Sequence, residues 1–324
     1  MEFYEIMIEP LSAFGTPLKG DTLFGQFCWQ AFYKADLLKS TFEEVIAKYP
    51  NKPFAVFSSA FPVLLSESEK TYLLKQPDVP ILKGLTEDRK TFRKRAKESR
   101  KKKWISVNED LKIDFKNMRE SHDKKKDKEN DEWVKTVERT HNSINRMTGT
   151  TGKDSFAPYI TTATYYAPET TMVVFVVIDE DQTDIERVCQ GLTRIGKQGF
   201  GRDASTGMGR FKIVEKNRRP DYDKTDVTAI YTLAPSVPGN ETFSKEYFKC
   251  FVRFGKHGDQ LALARNPFKK PVMMADEGAI YELGQDKSVL DKPYIGKAVT
   301  NVSNEKNTVV QGYAPYLPVK NWIQ

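Results

Sequence analysis

At 324 residues, with 39% hydrophobic and 12% aromatic side chains, the chain can bury a sizeable core and is long enough for two domains. Charged residues make up 29% and the formal net charge is +7, a balance that favours an anionic partner such as nucleic acid. Three cysteines, Cys28, Cys189 and Cys250, are odd in number and far apart, which argues against a disulfide framework or a zinc site and for idle thiols in a reducing compartment.

The opening "MEFYEIMIEP" lacks the basic-then-apolar order of a signal peptide, and its alternation reads as a strand. "TPLKG" follows as a loop. "DTLFGQFCWQAFYKA" then reads as a helix, with Asp21 as N-cap and Phe24, Phe27, Cys28, Ala31 and Phe32 on one core-facing stripe. "FAVFSSAFPVLL" is strand-like, with a break at its proline.

Residues 86–135 hold 18 Lys or Arg and 12 Asp or Glu, so nearly all the net charge lies there. Residues 89–103 alone carry ten basic side chains and one acid, Glu98. Apolar anchors are few: Phe92, Trp104, Ile105, Leu111, Phe115 and Trp133. Such a segment buries little and reads as an insertion, an exposed helical arm or a partly disordered one. It is either a solvated face or a contact for nucleic acid or an acidic partner.

Beyond it, "TMVVFVVI" is a buried strand, and its apolar run is too short to span a bilayer. "DQTDIERVCQGLTRIG" is a helix with Ile185, Val188, Cys189 and Leu192 on one side, and "GRFKIVE" is a strand. The order β-α-β-(insertion)-β-α-β is that of a split βαβ, or ferredoxin-like, domain. From about Asp226 the chain is strand-rich, with a short helix expected only near 241–247. The expected fold is α+β, with two ferredoxin-like (RRM-like) domains. Residues 1–220 form the first, with an insertion at 86–160 and a glycine-rich loop at 196–209. Residues 221–324 form a second, degenerate one. A cytoplasmic protein with no membrane association is expected.

"IGKQGFGRDASTGMGRF" has glycines at 196, 199, 201, 207 and 209. Gly199, Gly201 and Ala204 fit the spacing of a dinucleotide fingerprint, but that motif needs a strand before and a helix after, and here the order is reversed. The spacing of Gly201 and Gly207, followed by Met208, also fails a P-loop. What remains is a connector, or a basic helix-to-strand loop whose N–H groups can hold phosphates.

Four patches resemble the RAMP superfamily of CRISPR proteins. They are "TPLKGDTLFGQFCW" at 16–29, "HNSINRMTGTTG" at 141–152 followed by "FAPY", "GLTRIGKQGFGRDASTGMGRF" at 191–211, and "VVQGYAPYLPV" at 309–319. Together they resemble the fourth-subunit Csm family, the RAMP proteins that bind the five-prime handle of the guide in type III-A effector complexes. The patches cover about a fifth of the chain, and the insertion at 86–135 matches none of them.

The resemblance implies a non-catalytic subunit. Its expected partners are the CRISPR RNA, the large polymerase-cyclase subunit and the backbone RAMP subunit, with no cofactor and no metal. A hairpin "thumb" that kinks the guide would include residues 141–152. Single-stranded RNA is held by phosphate contacts, stacking and base-edge hydrogen bonds. Lys19, Lys197, Arg202 and Arg210 suit phosphates, and the backbone at Gly199, Gly201 and Gly207 suits a close ribose-phosphate chain. Asn142, Ser143 and Asn145 suit sugar or base edges, and His141 beside them is counted with the RNA-binding residues. Arg146 suits either, or an internal salt bridge. Phe200 either faces a base or anchors the loop.

Some RAMP proteins cut repeat RNA with a histidine acid-base, so a RAMP endoribonuclease is the alternative. Only His122, His141 and His257 are available, and His141 alone lies in a matched patch, with no evident catalytic partner.

Overall fold

A computed structural model describes residues 1–66, 69–81, 87–115, 118–119 (backbone alone), 134–152, 156–305 and 307–320. Of the insertion residues singled out above, His122 and Trp133 lie outside the described residues.

The first region runs β1 (Glu2–Pro10), α1 (Gly20–Tyr33), α2 (Phe42–Lys48), β2 (Ala55–Leu65), β3 (Lys70–Lys75), α3 (Arg89–Lys101), β4 (Trp104–Val107), β5 (Met118–Arg119), β6 (Val134–His141), β7 (Tyr159–Tyr166), β8 (Thr171–Ile178), α4 (Ile185–Gln198) and β9 (Phe211–Arg218). Its main sheet has the order β5-β4-β3-β2-β8-β1-β9. The segment β2-β8-β1-β9, with α1 and α4 in the two crossovers, is the ferredoxin-like arrangement expected.

Every residue of β8 is buried, which suits its run of β-branched and aromatic side chains. α4 starts at Asp184, whose carboxylate accepts from the Arg187 N–H at 3.0 Å, and it buries Val188, Cys189, Leu192 and Ile195.

Several local expectations are corrected. The N-cap of α1 is Lys19, not Asp21. Asp21 sits in the first turn and is occupied by Arg253 from the second region. Of the α1 stripe, Phe24, Phe27 and Ala31 are buried, Cys28 is half-buried, and Phe32 is exposed against Phe42 at 5.7 Å. The irregularity of β2 falls between Phe57 and Ala60, whereas Pro62 stays in register opposite Met172. The insertion is not wholly peripheral either. Its start is the exposed helix α3, but β4 extends the main sheet, and Ile105, Val107 and Leu111 belong to the core.

The second region comprises β10 (Val227–Thr232), β11 (Phe243–Tyr247), β12 (Cys250–Arg253), β13 (Val272–Ala275), β14 (Ile280–Leu283), β15 (Tyr294–Gly296) and β16 (Tyr313–Lys320). The expected helix at 241–247 is instead strand β11, paired to β14. Among the described residues this region has 3-10 turns but no α-helix, around a sheet ordered β11-β14-β10-β16-β15.

The two regions share one hydrophobic cluster, in which Tyr231, Ile280, Tyr313 and Leu317 join Phe24, Phe54 and Phe57. At the β2 irregularity, the buried Gln311 amide accepts from the Phe57 N–H at 3.0 Å and donates to the Phe57 carbonyl at 2.8 Å. A side chain thus pairs both backbone groups of Phe57, the last residue in register before the irregularity.

Among the described residues no helix is long and apolar enough to cross a membrane.

Candidate nucleic-acid interface

Three segments meet where β1 ends. The loop after β1 lies along the glycine-rich loop: Leu11 N–H donates to the Arg210 carbonyl and Gly209 N–H to the Ala13 carbonyl, each at 2.8 Å. The Thr16 and Ser12 hydroxyls accept from the N–H groups of Arg202 and Arg210, each at 2.9 Å. The third segment is the two-stranded hairpin β6-β7. Its base is joined to the same loop by reciprocal Phe14–Thr164 backbone bonds of 2.9 Å.

Phe14 is the hub of this junction. It is buried, edge-on to Tyr166 of the hairpin at 5.8 Å, and 6.5 Å from the Phe200 ring of the glycine loop. Burial pushes the Tyr166 hydroxyl up to about 12. The Arg202 guanidinium donates to the Thr162 carbonyl of β7 and lies 3.3 Å from Asp203. The loop, the strand end and the hairpin are therefore held as one unit.

The glycines have a role different from the expected one. A Cβ at Gly201, where φ is +75°, would lie 2.5 Å from the Thr16 side chain. Gly196, Gly199 and Gly209 are likewise pressed against backbone of their own chain. The expectation that these glycines bare a surface for a guest is corrected: four of the five permit internal close packing. Gly207, with φ +91° and nothing within 4 Å, alone borders open space.

Two further expectations are corrected. Phe200 is fully buried, so it anchors the loop and offers no face to a base. Lys19 is not a free phosphate ligand: its ammonium pairs with Asp276 and with Glu277 at 2.9 Å, and lies 5.0 Å over the Phe251 ring. It ties α1 to the turn between β13 and β14.

Other predicted residues are available. Lys197 and Arg210 are exposed and have no ion pair or side-chain hydrogen bond among the described residues. Arg202 is exposed as well, but its guanidinium is engaged by the Thr162 carbonyl and Asp203. At the hairpin end, Asn142 and Arg146 are exposed, and Ser143 and Asn145 half-buried. The Asn145 side chain accepts from the Met147 N–H at 2.9 Å, so it shapes the turn. No internal salt bridge holds Arg146 among the described residues. His141 is half-buried, stacked on Tyr159 at 5.2 Å, with Nε2 2.9 Å from the Thr161 hydroxyl.

Sequence reading missed Phe14, Thr16 and the apolar residues of the hairpin end. Met147 is 96% exposed, and Ile144, Tyr159 and Ile160 are also exposed. The strand-like runs "VKTVERTH" and "YITTATYY" on either side of 142–158 were the available signal for a hairpin.

No family model and no curated protein matches the sequence. Solved structures share the fold. A chain of a Csm1–Csm4 cassette in complex with pppApA gives a TM-score of 0.56 at 17% identity, covering 99% of this chain and 98% of that one. A chain of the Csm1–Csm4 cassette in complex with AMPPNP gives 0.57 at 16% identity, with the same coverage. A chain of the Csm3–Csm4 subcomplex of the type III-A CRISPR-Cas interference complex gives 0.58 at 14% identity, covering 99% and 100%. Over nearly its whole length, the chain therefore shares the fold of the matched chains in these Csm assemblies.

Proposed function

We propose that the chain is a non-catalytic CRISPR RNA-binding subunit of a type III-A effector complex, acting in the cytoplasm, and that it holds the five-prime handle of the guide. The observation that carries this reading is the convergence of the loop after β1, the glycine-rich loop and the β6-β7 hairpin, with Lys197, Arg202 and Arg210 exposed along it. Csm4 is the component common to both kinds of matched assembly, and it stands beside Csm1 in one and Csm3 in the other. Two protein neighbours follow for this chain, a large polymerase-cyclase subunit and a backbone RAMP subunit.

The chemistry suits a single strand. The three cations and the open backbone at Gly207 accommodate phosphates. Asn142 and Arg146 at the hairpin end offer polar contacts to sugars and base edges, while Ile144 and Met147 supply apolar surface to wedge between unstacked bases. The His141 ring is packed on Tyr159 and its Nε2 is engaged by Thr161, an arrangement that suits a support for the hairpin.

The test is guide RNA bound by the assembled complex carrying Lys197→Ala, Arg202→Ala and Arg210→Ala together. Leaving three phosphates without a cation reduces the slope of log affinity against log salt by about 2. The handle should also become open to nuclease. Full occupancy with wild-type protection sinks the handle assignment. His141→Ala should leave guide maturation unchanged. Metal-independent cleavage of a labelled repeat by the pure chain, abolished in His141→Ala, would establish the endoribonuclease reading instead.

A further inference from the structure

Helix α3 carries eight Lys or Arg and one acid, Glu98, so its formal charge equals the whole chain's +7. The rest of the chain is balanced. The helix is well defined at its start, where the Asp88 carboxylate accepts from Lys90 N–H at 2.7 Å and Thr91 N–H at 3.1 Å. It turns Phe92, Ala96 and Ser99 inward and leaves its other positions exposed.

The outward face is ordered. Lys90, Lys94, Lys97 and Lys101 recur at i, i+4, i+7 and i+11, opposite the inward row. They form a straight stripe about 16 Å long, with neighbouring lysines about 5–6 Å apart. Arg95 pairs with Glu87 at 2.8 Å, but none of the four lysines has an ion pair or side-chain hydrogen bond among the described residues. Like charges at these spacings repel and destabilise a helix. The stripe is made of point-charge ammoniums, not forked guanidiniums, and its one aromatic neighbour, Phe92, is on the inward side. It can neutralise phosphates, and no aromatic side chain of the helix faces outward to stack on a base.

We propose that α3 is a second nucleic-acid contact, which grips a phosphodiester backbone through the Lys90–Lys94–Lys97–Lys101 stripe without reading sequence. This does not rest on the handle reading, because none of its residues belongs to the glycine-loop junction.

The test uses the full chain and a fluorescein-labelled oligouridine, titrated at several salt concentrations. Replacing the four lysines with Gln should reduce the salt slope by about 3, at about 0.7 for each phosphate no longer neutralised. Replacing them with Arg should preserve it. Circular dichroism and the melting transition control for folding. If the fourfold Gln variant does not fold, Lys94→Gln with Lys97→Gln should give half the change. The Lys197, Arg202 and Arg210 substitutions should leave the α3 contribution intact, so failure of the handle reading is seen separately. An unchanged slope in folded Gln variants overturns the proposal. Unchanged oligouridine binding together with loss of a protein subunit from the assembled complex also overturns it, and identifies an acidic protein surface as the partner.

Discussion

The Asp21 carboxylate and the Arg253 guanidinium meet side by side, Nε to Oδ2 at 2.7 Å and Nη2 to Oδ1 at 2.9 Å. Asp21 lies in the first turn of α1 and Arg253 at the end of β12, so the pair joins the two regions. Asp21 is 8% exposed, and Arg253 also lies 5.0 Å over the Phe251 ring. Removing one partner of a buried pair strands the other charge, at about 3 kcal/mol. Asp21→Ala and Arg253→Ala should each destabilise by that order. The double variant should cost less than the two combined, measured by urea unfolding. Additive losses would show that the pair does not couple the regions.

Gly201 and Gly207 separate packing from access. Both have positive φ, but a side chain at 201 meets Thr16 and one at 207 meets nothing. Gly201→Ala should lower stability by about 1–3 kcal/mol through strain and the clash. Gly207→Asn tolerates the left-handed backbone, so it should fold almost as wild type and act only on a guest. Thermal melting distinguishes the two. Equal destabilisation at both positions would contradict the geometry of the loop.

Asp276 gives a pH signature. Burial pushes its carboxyl up, but the hydrogen bond from Glu277 and the charges of Lys19 and Lys75 outweigh it and hold Asp276 below the usual aspartate range. A carboxylate whose folded pKa is depressed contributes stability above its unfolded pKa, and that contribution is lost as pH falls through the folded value. Asp276→Asn should therefore cost about 2 kcal/mol near neutral pH, with the gap to wild type closing below the ordinary aspartate range. Glu277 has the opposite sign: its burial raises it, so its own contribution is present at low pH and is lost as pH rises through the folded value. Repeating the comparison in a Glu277→Gln background isolates Asp276. A gap independent of pH would refute the pairing of Asp276 with the two lysines.

Local pattern was enough for the framework of the first region. The apolar run of β8, the 3.6-residue stripe of α4 and the order of strands and helices are short-range signals, because burial on one face or both imposes a period on neighbouring residues. The charge of α3 and its exposure were legible for the same reason: so few apolar residues cannot bury a helix on more than one narrow row. The glycine spacing excluded a nucleotide-cofactor loop through the helix that precedes it and the strand that follows. The roles of Lys19, Asp21 and Phe200 were decided only in three dimensions. The partners of Lys19 and Asp21 lie 257 and 232 residues away, and nothing in the sequence near either residue marks which distant carboxylate or guanidinium will meet it. The same holds for Gly201, whose need for a missing side chain comes from Thr16 across the junction. Local sequence determines which residues can be buried, charged or bent. Which of them commit that capacity to the fold, and which keep it for a partner, depends on contacts that exist only after the chain has closed on itself.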